Sequence, residues 1–109
     1  MRKVALSVLA LSFPAFAQQA TAPASLVRAG VTEKLTEHVW LIPDGSAPLV
    51  PNVGIVVGSK AVLVIDTGMG TRNAQRVLGQ VAKVAPGKPI YLVTTHVHPE
   101  HDMGAHAFP

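Results

Sequence analysis

One helical stripe set between two apolar strand runs constrains this chain more than any other feature. Ala74, Val77, Leu78, Val81 and Ala85 recur at i, i+3, i+4, i+7 and i+11, which lines one face of a helix. Arg72, Gln75, Arg76, Gln80 and Lys83 fall largely on the other side. Ala61-Val62-Leu63-Val64-Ile65 precedes the stripe and Ile90-Tyr91-Leu92-Val93 follows it, and both read as strands. A helix between two strands implies a crossover and a parallel pair. The chain is therefore read as α/β.

The rest of the chain fits around that unit. Val39-Trp40-Leu41-Ile42 and Val53-Gly54-Ile55-Val56-Val57 are further strands, separated by a Pro-rich loop from Pro43 to Pro51. Gly58-Ser59-Lys60 is a turn signal that joins Val53–Val57 to the next run as a hairpin. Asp66-Thr67-Gly68-Met69-Gly70 breaks the strand pattern before the helix, and Pro86-Gly87-Lys88-Pro89 ends the helix. Gly79 sits inside the helix and costs about 1 kcal/mol relative to Ala.

The first residues are set apart from the fold. Arg2 and Lys3 begin an apolar stretch from Val4 to Phe13 that is too short to span a bilayer. Ala15-Phe16-Ala17 has the small-x-small form of a secretory cleavage site. Residues 1–17 are thus expected to be a signal peptide cut between Ala17 and Gln18, giving a periplasmic or secreted protein with no membrane association after cleavage. Residues 18–38 read as a flexible tether and lead-in, and residues 39–109 as the domain.

Charge and cysteine usage narrow the classes. The chain has nine Lys+Arg and six Asp+Glu, and removing Arg2 and Lys3 with the peptide leaves seven against six, a net of +1. No basic run or aromatic-basic patch supports nucleic-acid binding. There is no cysteine, so neither disulfides nor thiolate ligands are available.

The chemistry is concentrated in Thr95-His96-Val97-His98-Pro99-Glu100-His101-Asp102, which places three histidines within six residues at the mouth of a strand. Imidazole is the commonest protein ligand for zinc and suits other divalent metals. In extended backbone His96 and His98 share a side, and a helical turn starting at Pro99 swings His101 back toward them. Glu100 and Asp102 are the nearby carboxylates, each able to ligate, to act as a base or to hold a histidine in its metal-binding tautomer. His38 and His106 stand apart and are read as structural or exposed. Asp66-Thr67-Gly68 follows a strand at the same end of the sheet, where ligand sites of parallel arrangements form. Asp66 is expected to lie beneath the histidine loop and to hydrogen-bond its backbone or a histidine.

From about Val39 to Pro109 this set resembles the N-terminal half of the metallo-β-lactamase superfamily, with its hairpin, Asp-Thr-Gly turn, helix, and strand ending in Thr-His-x-His-x-Asp-His. The resemblance implies an αββα sandwich, of which the βαβ-containing N-terminal half is present. It implies that positions matching His96 and His98 bind one zinc and that matching His101 a second, so one or two zinc ions. Glu100 stands where the family has aspartate, one methylene shorter. His-Pro-Glu-His followed by Gly104 and Ala107-Phe108 looks more like periplasmic metallohydrolases associated with quinoprotein systems than like antibiotic-degrading members.

The reading that follows is an exported zinc-dependent hydrolase acting on a small-molecule ester, thioester or amide, with Glu100 orienting or deprotonating water and His96, His98 and His101 as ligands. Two further readings stand beside it. One is an inactive truncated fragment or a metal-binding module without turnover. The other is a β-lactam hydrolase.

Overall fold

The computed structural model describes residues 25–109. The expected signal peptide, with Ala15, Ala17 and Gln18, lies outside the described residues. Five strands form one sheet: β1 Glu33–Lys34, β2 Val39–Ile42, β3 Val53–Val57, β4 Val62–Ile65 and β5 Ile90–Val93. They lie side by side in chain order. The first three pairings are antiparallel, and β4–β5 is parallel. The hairpin link between β3 and β4 is closed by the Gly58 N–H donating to Ala61 O at 2.9 Å, which leaves Ala61 in the turn. The parallel pair is bridged by α1, Gly70–Val84, as the stripe between the two runs requires.

Alternation along the strands divides the sheet into two faces. Ile42, Val53, Ile55, Val62 and Val64 are buried on the face that packs with Val77 and Val81 of α1 and with Ala85 just past its end. Trp40, Ile90 and Leu92 pack against the same cluster. Each fully buried valine or isoleucine contributes about 1.5–3 kcal/mol relative to an exposed one. Val39, Leu41, Val56, Leu63, Ile65, Tyr91 and Val93 alternate with this set, so the second face is apolar too. On it Tyr91 and Val93 are exposed.

The expected tether, up to Ser25, lies almost wholly outside the described residues, and the lead-in that follows it packs into the fold. Val27 is completely buried. Its N–H donates to Asn73 Oδ1 at 2.7 Å, and its carbonyl accepts from Arg76 Nη1 at 3.1 Å. Asn73 Nδ2 also donates to Ser25 O and to Met69 O. Thr32 Oγ1 donates to Gln80 Oε1 at 2.8 Å. Asn73 and Gln80 are therefore buried, although Gln80 reads as solvent-facing on the helix pattern. The physical reason is that a third flank of α1 is covered by backbone. Exposed backbone groups need polar partners rather than an apolar stripe. Leu78, part of the stripe, is only half-buried.

Beyond β5 the chain makes α2, Pro99–Asp102, with Pro99 at its start, and then a 3-10 turn over Ala105–Ala107. Among the described residues no helix is long and apolar enough to cross a membrane.

Candidate functional site

The site is assembled where β4 and β5 end together. Asp66 directly follows β4, and its N–H continues the parallel ladder by donating to Val93 O at 2.9 Å. Its φ of 69° turns the chain sharply, a conformation aspartate tolerates better than most residues. Thr67 and Gly68 complete the turn, and Gly68 has φ 77°. A Cβ on Gly68 would lie 2.6 Å from Asn73 Cβ and 2.7 Å from Val27 Cγ2, so only glycine fits between the helix and the lead-in.

The turn supports the histidine loop. Thr67 N–H donates to His101 O at 3.1 Å. Thr67 Oγ1 lies 3.0 Å from the same carbonyl and 2.9 Å from Gly68 O, and it accepts from Gly104 N–H at 3.0 Å. Asp66 is 3% exposed. Its Oδ1 accepts from Thr95 N–H at 2.8 Å, and its Oδ2 lies 2.8 Å from His101 Nδ1. The expected contacts of Asp66 with the loop backbone and with a histidine are thus both present.

Three histidines meet above this floor. His96 Nε2 and His98 Nδ1 are 3.1 Å apart. The His96 and His101 rings lie with centroids 4.1 Å apart. α2 begins at Pro99 and returns His101 to the pair. Glu100 Oε1 lies 3.9 Å from His98 Nδ1 and 4.0 Å from His101 Nε2, outside hydrogen-bond range but between the two rings. Asp102 is half-buried at the end of α2, and among the described residues its carboxylate makes no hydrogen bond or ion pair with these histidines. His106 lies apart, exposed, with Nε2 2.8 Å from Thr71 Oγ1. His38 is exposed on the turn into β2.

The donor set can be tested against a divalent metal. Two nitrogens bound to one tetrahedral zinc at the usual bond length stand about 3.3 Å apart. The His96–His98 separation of 3.1 Å is close to that value. His101, with Nδ1 on a carboxylate, keeps Nε2 free in the carboxylate–histidine arrangement common at metal sites. Among the described residues no three His, Asp or Glu side chains converge as a finished metal cage. The residues present fit a metal held first by two histidines. The site is open, with no enclosed pocket among the described residues.

The fold and the strand-end histidines define an α/β protein with a candidate metal site at the carboxyl ends of parallel strands. The model of the metallo-beta-lactamase superfamily matches residues 46–109, more than half of the chain, and the protein belongs to that superfamily. Membership points to metal-dependent hydrolase chemistry in general. No curated protein matches the chain.

Thr95 is the residue that sequence reasoning missed. Its side chain contacts Asp66, His96 and His101. The available signal was positional, since Asp66 and Thr95 both lie just past the ends of neighbouring strands.

Proposed function

We propose that the protein is an exported, zinc-dependent hydrolase of a small-molecule ester, thioester or amide. The observation that carries this is the His96 Nε2–His98 Nδ1 pair beside an Asp66-held His101. His96 and His98 hold the first ion. His101 Nε2, with Glu100, is suited to a second or to a water-binding role. The α1-covered sheet fits one half of an αββα sandwich. When bound, zinc supplies Lewis acidity and lowers the pKa of water toward neutrality.

The chain's own groups do the remaining work. His101 Nδ1–H donates a hydrogen bond to Asp66 Oδ2, which leaves the lone pair on Nε2. Glu100 Oε1, about equally far from two ring nitrogens, accepts a proton from attacking water and passes it toward the leaving group. Glutamate here, rather than aspartate, gives that carboxylate a longer reach. Nothing among these residues selects a β-lactam, and the His-Pro-Glu-His run with Gly104 supports the quinoprotein-associated periplasmic subgroup instead.

The test is metal content of the full chain after dialysis, alongside His96→Ala/His98→Ala. The double variant is expected to lose the bound ion, together with any chelator-sensitive turnover of ester, thioester and amide substrates. Equal stoichiometry in the two proteins would remove the pair as ligands. Export is tested separately. N-terminal sequencing of protein recovered from the periplasm or medium is expected to begin at Gln18, and a chain retaining Met1 would defeat this part of the proposal.

A further inference from the structure

We infer that Thr95 is a positioning residue that passes the orienting effect of Asp66 to His96. The inference rests on the metal-site reading above, but its evidence is the wiring of the loop itself. Thr95 Oγ1 lies 3.1 Å from Asp66 Oδ1 and 3.0 Å from Asp66 Oδ2. It also lies 3.0 Å from His96 Nδ1, and farther, 3.4 Å, from His101 Nδ1.

These distances leave one assignment of protons. An ionised carboxylate only accepts hydrogen bonds, and a hydroxyl has a single proton to give. Oxygens about 3 Å apart repel unless a proton lies between them, so the Thr95 hydroxyl donates to Asp66. The hydroxyl is then an acceptor toward His96, and His96 Nδ1 must carry the hydrogen. Neutral imidazole has one N–H, so His96 Nε2 is left with its lone pair. That is the atom that faces His98 Nδ1 at 3.1 Å.

His101 reaches the same state without a relay, since its Nδ1 is 2.8 Å from Asp66 Oδ2. One carboxylate, 4% exposed at its side chain, therefore sets the tautomers of two histidines. A histidine side chain free in water favours the proton on Nε2, which is the form that cannot ligate through that atom. Thr95 opposes this preference at His96. Its own N–H, bonded to Asp66 Oδ1, fixes the hydroxyl over the carboxylate. Valine has the same shape as threonine without the hydroxyl, and serine keeps the hydroxyl without the methyl.

The test compares Thr95→Val and Thr95→Ser with the unaltered full chain. Nitrogen-15 NMR of the metal-free protein, under mildly alkaline conditions where imidazole is neutral, reads the His96 tautomer directly. The hydrogen is expected on Nδ1 in the unaltered protein and in Thr95→Ser. Thr95→Val is expected to shift it substantially to Nε2 while His101 keeps its Nδ1 hydrogen. Zinc or cobalt affinity is expected to fall about tenfold in Thr95→Val, the lower end for loss of a ligand's partner, and to recover in Thr95→Ser. A His96 that carries its hydrogen on Nε2 in the unaltered protein overturns the inference. So does a Thr95→Val protein with an unchanged tautomer, or one with unchanged affinity where the unaltered chain binds metal. Absence of metal binding in the unaltered chain would instead reject the metal reading, while the tautomer measurement would still decide the role of Thr95.

Discussion

Asp66→Ala is expected to destabilise the protein by about 2–4 kcal/mol and to weaken divalent-metal binding about 10–100-fold. The carboxylate accepts from the Thr95 N–H, the Thr95 hydroxyl and His101 Nδ1. Hydrogen bonds to a charged group contribute about 1.5–3 kcal/mol each, and water recovers part of that where the loop is exposed. Alanine would also have to hold φ 69°, the left-handed region, which costs a non-glycine residue about 1–2 kcal/mol. Asp66→Asn separates the two effects. Asparagine tolerates the backbone but has one acceptor oxygen where aspartate has two. Its stability loss should be smaller than that of alanine, with most of the loss in metal affinity retained. Denaturant unfolding and metal titration of both variants measure the difference. Metal affinity at the unaltered level in Asp66→Ala would show that the histidines orient themselves without the carboxylate.

Gly104→Ala is expected to cost about 1–3 kcal/mol by overpacking. Gly104 is buried, with an ordinary φ of −82°, so no backbone strain enters. A Cβ there would lie 2.8 Å from Gly68 O, 2.8 Å from Thr67 Oγ1 and 2.9 Å from Thr67 Cβ. All three atoms belong to a turn already held by the helix and the lead-in, so the turn has little room to retreat. The displacement should reach Asp66 and lower metal affinity as well. Gly79→Ala is the matched control, since its Cβ would meet nothing within 4 Å on an exposed stretch of helix. That change should be neutral or stabilising by up to about 1 kcal/mol. Equal melting of the two variants would mean that the Thr67–Gly104 contact is softer than its distances imply.

Much of the fold is legible because burial writes a periodic signal. Strands β2, β3 and β5 have the bounds that their apolar runs suggest. The helix begins at Gly70, before the first apolar member of its stripe, because Thr71 and Arg72 extend it on the exposed side. Strand β1 carries no such signal. It is two exposed polar residues, Glu33 and Lys34, at the sheet edge, and backbone pairing alone defines it. Asn73 is hidden for a related reason. A polar residue that grips backbone 46 residues away has the same letter as one that faces water. At the site, His96, His98 and His101 stand out by spacing and Asp66 by its place after a strand. Thr95 does not, because its meaning arises only when residues 29 apart in sequence become neighbours.

The sheet has an ambiguity that its hydrophobic pattern cannot remove. Sliding β5 by one residue along β4 would exchange Ile90 and Leu92 for Tyr91 and Val93, and both sets are apolar. Oil-in, water-out sorting is therefore nearly blind to that error. Asp66 is not blind to it. A one-residue slip carries Thr95 about 3.3 Å along the strand, far enough to break its bonds to the carboxylate. The polar lock thus acts as a proofreader of alignment. In a refolded batch, the fraction of chains competent to bind metal would count correctly threaded molecules, whereas circular dichroism would score slipped and native sheets alike.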